Sequence, residues 1–161
     1  MILVTVGTNE QPFDRLVRAA AMLAGDEPLT VQHGASRVEP GRGRWVDFLS
    51  FEELTGLVEQ ADAVVCHAGV GSIMLAHRYG KRPLVMPRRF HLREAVDDHQ
   101  LLLARRLAAG GLVDLVENEE DLPRALARRH LLGVAAAAPD LPGAANLAED
   151  VRGYLQKLVA A

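Results

Sequence analysis

The chain reads as an α/β protein in which a parallel sheet is covered by helices on both faces. Short apolar runs of strand length alternate with segments whose apolar residues recur at helical spacing, from Ile2 onward. The connections are short, and parallel strands need crossovers, which here are helical. At 161 residues and 49% hydrophobic content, the chain suits one well-buried domain rather than two.

Each element has its own signal. Ile2 to Val6 is a β-branched run ending at Gly7, and Pro12 to Ala24 follows with Phe13, Leu16, Val17, Ala20 and Leu23 at helical spacing. Leu29 to Gln32 is the next strand, closed by His33-Gly34. A loop rich in glycine and arginine, Ser36 to Gly43, leads to a strand over Trp45 to Leu49. Ser50 with Glu53 three residues later forms a capping box that opens a helix to about Gln60. Ala63 to Cys66 is a buried strand, followed by the turn His67-Ala68-Gly69-Val70-Gly71-Ser72 and a helix from Ile73 to Tyr79. Leu84 to Met86 is a strand bracketed by Pro83 and Pro87. A helix from about Val96 to Ala109 stops at Gly110-Gly111, as a glycine in the left-handed region would stop it. Leu112 to Val116 is the last strand and Glu119 to Arg129 a further helix. Residues 135–142 read as a linker, and about Ala144 to Val159 as a final helix packing on the domain, so that residues 1–161 form a single unit.

Composition narrows the function. A formal charge of −3 argues against a general nucleic-acid binder, although the Arg88-Arg89 and Arg105-Arg106 pairs allow a local basic patch. The single cysteine, Cys66, excludes an internal disulfide framework and lies in an apolar run, as a small buried hydrophobe does. No apolar stretch is long enough to cross a bilayer, and Met1-Ile2-Leu3-Val4 lacks the flank of a signal peptide. A cytoplasmic protein is expected.

In a parallel sheet ligands sit beyond the carboxyl ends of the strands, so the candidate site is the loops 7–10, 32–34, 67–72 and 88–100. The turn at Gly69, Val70, Gly71 and Ser72 opens a helix whose first N–H groups can face an anion such as a phosphate. The same glycines could serve only a tight turn, and Ser72 only a helix cap. His67 reads either as a hydrogen-bonded structural histidine or as a base. Asp97-Asp98-His99 reads as an acidic helix start rather than a metal cluster, because adjacent residues on a helix diverge. Arg88, Arg89 and Arg93 form a solvated loop flanking the anion site, and Thr8 and Asn9 link the first strand to its helix.

Val4-Thr5-Val6-Gly7-Thr8, Gln32-His33-Gly34, Phe48-Leu49-Ser50, Ala61-Asp62, His67 to Ile73, Gly80-Lys81, Pro87 and Asp98-His99-Gln100 together resemble the glycosyltransferase family 28 C-terminal domain. The resemblance runs in order over residues 1 to 116. It is strongest to the single-domain subunits of two-chain transferases that serve the dolichol pathway and bacterial exopolysaccharide synthesis. It implies a Rossmann-like domain, one half of a GT-B fold, that binds a UDP-sugar without a metal or other cofactor.

By the same resemblance, the loop from Gly69 to Ser72 would hold the diphosphate, and His99 and Gln100 would bond sugar hydroxyls. Gly7, Thr8, Asn9, His67, Arg88, Glu94 and Asp98 complete the donor side. Relatives often carry an acid three residues after the serine to hold ribose; here that position is Leu75, with Glu94 or Asp97 as substitutes from the neighbouring loop. The implied activity is transfer of a hexose or N-acetylhexosamine to a lipid-linked acceptor. A membrane-associated partner chain would supply the acceptor side and hold this chain peripherally at the membrane, and a homodimer is compatible with the sequence. For the catalytic base the local candidates are His67 and Glu94. Two alternatives stay open: a non-enzymatic module that binds a nucleotide sugar or partners a transferase, and a self-contained enzyme such as an epimerase.

Overall fold

The computed structural model describes residues 1–131. Six strands form one sheet in which every pairing is parallel, as the sequence predicts. They are β1 (Ile2–Thr5), β2 (Leu29–Gln32), β3 (Arg44–Val46), β4 (Ala63–His67), β5 (Leu84–Met86) and β6 (Asp114–Leu115), in the order β3-β2-β1-β4-β5-β6. The strand order reverses between β1 and β4, which makes the crevice above their carboxyl ends the natural ligand site.

Among the described residues, five α-helices cover the two faces: α1 (Asp14–Ala21), α2 (Phe51–Gln60), α3 (Val70–Arg78), α4 (His99–Ala109) and α5 (Leu122–Leu131). The central strands are buried on both sides, which is why they read as continuous apolar runs. Ile2, Val4, Val65, Leu84 and Met86 face a cluster holding Phe13, Leu16 and Val17 of the α1 region and Leu122 and Leu126 of α5. The alternate residues face the other way: Leu3 and Val64 meet Val58 of α2 and Leu75 and Ala76 of α3. Cys66 and Val85 meet Ile73 of α3 and Leu103, Ala104 and Leu107 of α4. Burial pushes the Cys66 thiol up to about 12, consistent with its reading as a small hydrophobe.

Boundaries move where local signals compete. The Ser50–Glu53 capping box is present in both directions and fixes the start of α2. α3 starts at Val70, three residues before the expected Ile73, because Gly69 takes the N-cap position. α4 begins at His99 rather than Val96, after a 3₁₀ turn over Phe90–Leu92. Gly111, at φ 72, follows its end as expected. β6 shortens to two residues, and the last described helix starts at Leu122 behind a 3₁₀ turn. The expected linker and final helix lie outside the described residues. No helix among the described residues is long and apolar enough to cross a membrane.

Candidate functional site

The site is built around the start of α3. Because Gly69 is the N-cap and Ile73 is the first residue to bond back, to the Gly69 carbonyl at 3.1 Å, the amides of Val70, Gly71 and Ser72 have no intrahelical acceptor. No side chain caps this end. Ser72 lies inside the first turn, behind the Gly69 N-cap, so it is not the helix cap. A Cβ at Gly71 would meet nothing within 4 Å, so the turn opens outward. Three amides without intrahelical acceptors and the positive end of a nine-residue helix are the features that can receive an anion.

Gly7 and Gly69, which follow β1 and β4, owe their identity to His67. A Cβ on either would overlap the imidazole, and Gly7 also sits at φ 78, where side chains are strained. The ring therefore fills the crevice between the two loops. Burial, reinforced by the nearby Arg88 charge and opposed by the Thr5 backbone, lowers the His67 pKa to about 4. Its Nδ1 is buried with no hydrogen-bond partner among the described residues. The partly buried ring is packed between the two loops, and burial favours its neutral form. Gln32 holds the Gly7 turn from the other side. Its Oε1 accepts from Thr5 Oγ1 at 2.6 Å and from the Gly7 amide at 3.2 Å, while Nε2 donates to the carbonyls of Gly7 and Asp47, each at 3.0 Å.

The loop after β5 overturns one expectation. Arg88 is fully buried rather than solvated. It donates to the carbonyls of Gln11, Pro12, Glu94 and Val6 at 2.9 to 3.2 Å and stacks over Phe13, with 4.6 Å to the ring centroid. Burial lowers its pKa to about 10, with Glu94 opposing. With no exposed surface, it has no reach to a phosphate and instead ties the β1 and β5 loops together. Glu94 is buried as well, gripped by Arg15 through Nε at 3.0 Å and Nη2 at 2.9 Å, and it accepts the Arg89 amide at 3.0 Å. Its carboxylate is thus taken up by Arg15 and the Arg89 amide. Arg89 donates to Glu117, leaving Arg93, in the left-handed region at φ 58, as the exposed arginine of the three.

The remaining site residues stand at the rim. Thr8 and Asn9 are exposed, and Asn9 Oδ1 accepts the Gln11 amide. Asp98 accepts the Phe90 amide at 3.0 Å and so folds the loop back on itself. Asp97 receives the His99 amide at 3.0 Å and His99 Nδ1 at 2.7 Å, which draws its pKa down. The His99 side chain is 85% exposed. Gln100 accepts the Arg88 amide at 3.3 Å, so what it offers a ligand is its NH₂ group. Leu75 is buried against α2, and of its two proposed substitutes only Asp97 is accessible.

Sequence reasoning missed Arg15 and Glu117. Arg15 left a trace: it lies four residues before Ala19 on the buried stripe of α1, where a charge needs a partner. Glu117 left none. Its carboxylate joins Arg105, at 2.9 and 3.1 Å, to Arg89, and its carbonyl accepts from Arg15, contacts that only the assembled sheet creates.

Comparison with known proteins identifies the family and the fold. A model of the glycosyltransferase family 28 C-terminal domain matches residues 1–133. The UDP-N-acetylglucosamine transferase subunit ALG13 of Yarrowia lipolytica is 31% identical, over 66% of this chain and 60% of that protein. The chain thus spans less than two thirds of this relative's length. Among solved structures, the spinosyn forosaminyltransferase SpnP superposes with a TM-score of 0.63 at 22% identity, over 99% of this chain and 43% of that one. MurG of Acinetobacter baumannii gives 0.55 at 19%, over 84% and 42%. Both likenesses concern the fold.

Proposed function

Because this chain belongs to the glycosyltransferase family 28 C-terminal domain family, we propose that it is the UDP-sugar-binding subunit of a two-component glycosyltransferase. In this reading it moves a hexose or N-acetylhexosamine onto a lipid-linked acceptor in polysaccharide or glycan synthesis, on the cytoplasmic side of a membrane. The observation that carries the reading is the open start of α3, with three unpaired amides and the Ser72 hydroxyl at the reversal of strand order. As the sugar leaves, negative charge builds on the diphosphate, and donors already in place stabilise it without reorganising. That is the work a metal ion would otherwise do. His99, steadied by Asp97, and the Gln100 amide serve the sugar hydroxyls.

The acceptor side and its base come from a partner chain in this reading, since His67 and Glu94 are both occupied. Two features support a covering partner. The relative from Yarrowia is named as a transferase subunit. Apolar side chains also stand exposed in the segments that follow the carboxyl ends of β3 and β5: Phe48 at 63%, Phe51 at 72%, Phe90 at 57% and Val96 at 79%.

Titration calorimetry with UDP, ADP and GDP, each with and without EDTA, is expected to show binding selective for UDP and unchanged by the chelator. Absence of a uridine preference would remove the donor reading, and loss of binding in EDTA the metal-free one. The purified chain alone is expected to transfer little or no sugar, and co-expression with the membrane-associated partner to restore transfer. Vigorous turnover by the isolated chain would instead favour a self-contained enzyme. UDP binding with no transfer in the complex would favour the non-enzymatic module.

A further inference from the structure

The structure assigns a second anion site, for a phosphate group, to an arginine-lined recess at the end of the sheet opposite the nucleotide loops. The recess has a volume of about 320 Å³ and is lined by Arg82, Arg128, Arg129 and Asp114, with Ala108 and Ala125 among its apolar walls. Arg82 lies two residues before β5, Asp114 opens β6, and Arg128 and Arg129 lie near the end of α5. Nothing in the proposed transferase chemistry uses them.

Charge in the recess is unbalanced. Asp114 is its one lining carboxylate and is spent on Arg82, with Oδ1 2.8 Å from Nη2 and Oδ2 3.3 Å from Nε. Arg128 and Arg129 have no ion-pair partner among the described residues. The Nη1 of Arg129 is buried without a hydrogen-bond partner among them. Leaving a guanidinium donor desolvated and unpaired is costly, and the cost is removed when an anion enters. Burial holds the Arg129 pKa below the usual arginine range; Asp114 opposes this and Arg82 adds to it.

Three guanidiniums against one carboxylate leave two positive charges uncompensated. A phosphate monoester or orthophosphate carries a charge of about −1.5 to −2 near neutral pH and accepts from several guanidinium forks at once. The chemistry is common to free phosphate and to the phosphoryl headgroup of an anionic lipid, and the test separates these sources.

The test uses the full chain and four proteins: the parent, Arg128→Gln with Arg129→Gln, Arg129→Lys alone, and Ser72→Ala as a control in the nucleotide loop. Orthophosphate is titrated into each by calorimetry with the nucleotide loop saturated by UDP, and a thermal melt confirms folding. The double variant is expected to bind orthophosphate roughly tenfold more weakly or worse, as lost charge-assisted hydrogen bonds imply. Arg129→Lys is expected to fall between parent and double variant, since it keeps the charge and loses the fork. Ser72→Ala is expected to keep binding at this site, and the double variant to keep its affinity for UDP, so failure here is distinguishable from failure of the donor reading. Co-sedimentation with phosphatidic acid/phosphatidylcholine vesicles, against phosphatidylcholine alone, forms the second arm. Binding to orthophosphate alone identifies a free phosphate site, and Arg129-dependent binding to the acidic vesicles a headgroup site. No binding of either by the parent, or equal binding by the double variant, overturns the assignment.

Discussion

Gly71→Val is expected to abolish measurable UDP binding while the domain still unfolds cooperatively near the parent temperature. Gly71 is exposed in the first turn of α3, and a Cβ there meets nothing within 4 Å, so the valine has room in the folded protein. Valine is also no worse than glycine in a helix, by a few tenths of a kcal/mol in its favour. The space it fills is the space in front of the free amides of Val70, Gly71 and Ser72, and its branched side chain holds a phosphate away from them. Ser72→Ala, which removes one donor and leaves the amides open, is expected to weaken binding by only about 1–2 kcal/mol. Calorimetry with UDP and a thermal melt measure both variants. Parent-like affinity in both would reduce the loop to a structural turn.

Glu94→Ala is expected to destabilise the domain by about 3–5 kcal/mol, the range for breaking a buried ion pair by removing one partner. Arg15 and Glu94 are 8% and 7% exposed, and the alanine leaves the Arg15 guanidinium buried with only the carbonyls of Glu117 and Pro87. The Arg89 amide loses its acceptor as well. For a domain of this size the melting midpoint is expected to fall by about 10 °C or more. Arg15→Met combined with Glu94→Leu is expected to recover much of the loss, because no charge is then left unpaired. If Glu94 served ribose or the acceptor instead, Glu94→Ala would cost binding or turnover with little change in the melt, the reverse of the expected pattern.

The sequence by itself determined the layered fold, because the information for it is local. Continuous apolar runs such as Ala63 to Cys66 and Leu84 to Met86 mark strands buried on both faces, and their alternation with helical segments leaves a parallel sheet as the consistent arrangement. It also located the glycine turn before α3 and the capping box, which depend on residues within one turn of each other. Tertiary structure alone decided what the charges do. Arg88, Arg89 and Arg93 are nearly adjacent in the chain, yet one is a fully buried clamp, one an ion-pair partner and one exposed. A charge is neutralised by whatever stands a few ångströms away, and for Arg15 that is Glu94, 79 residues on. The same reason explains His67, whose low basicity comes from being enclosed by loops that follow two different strands.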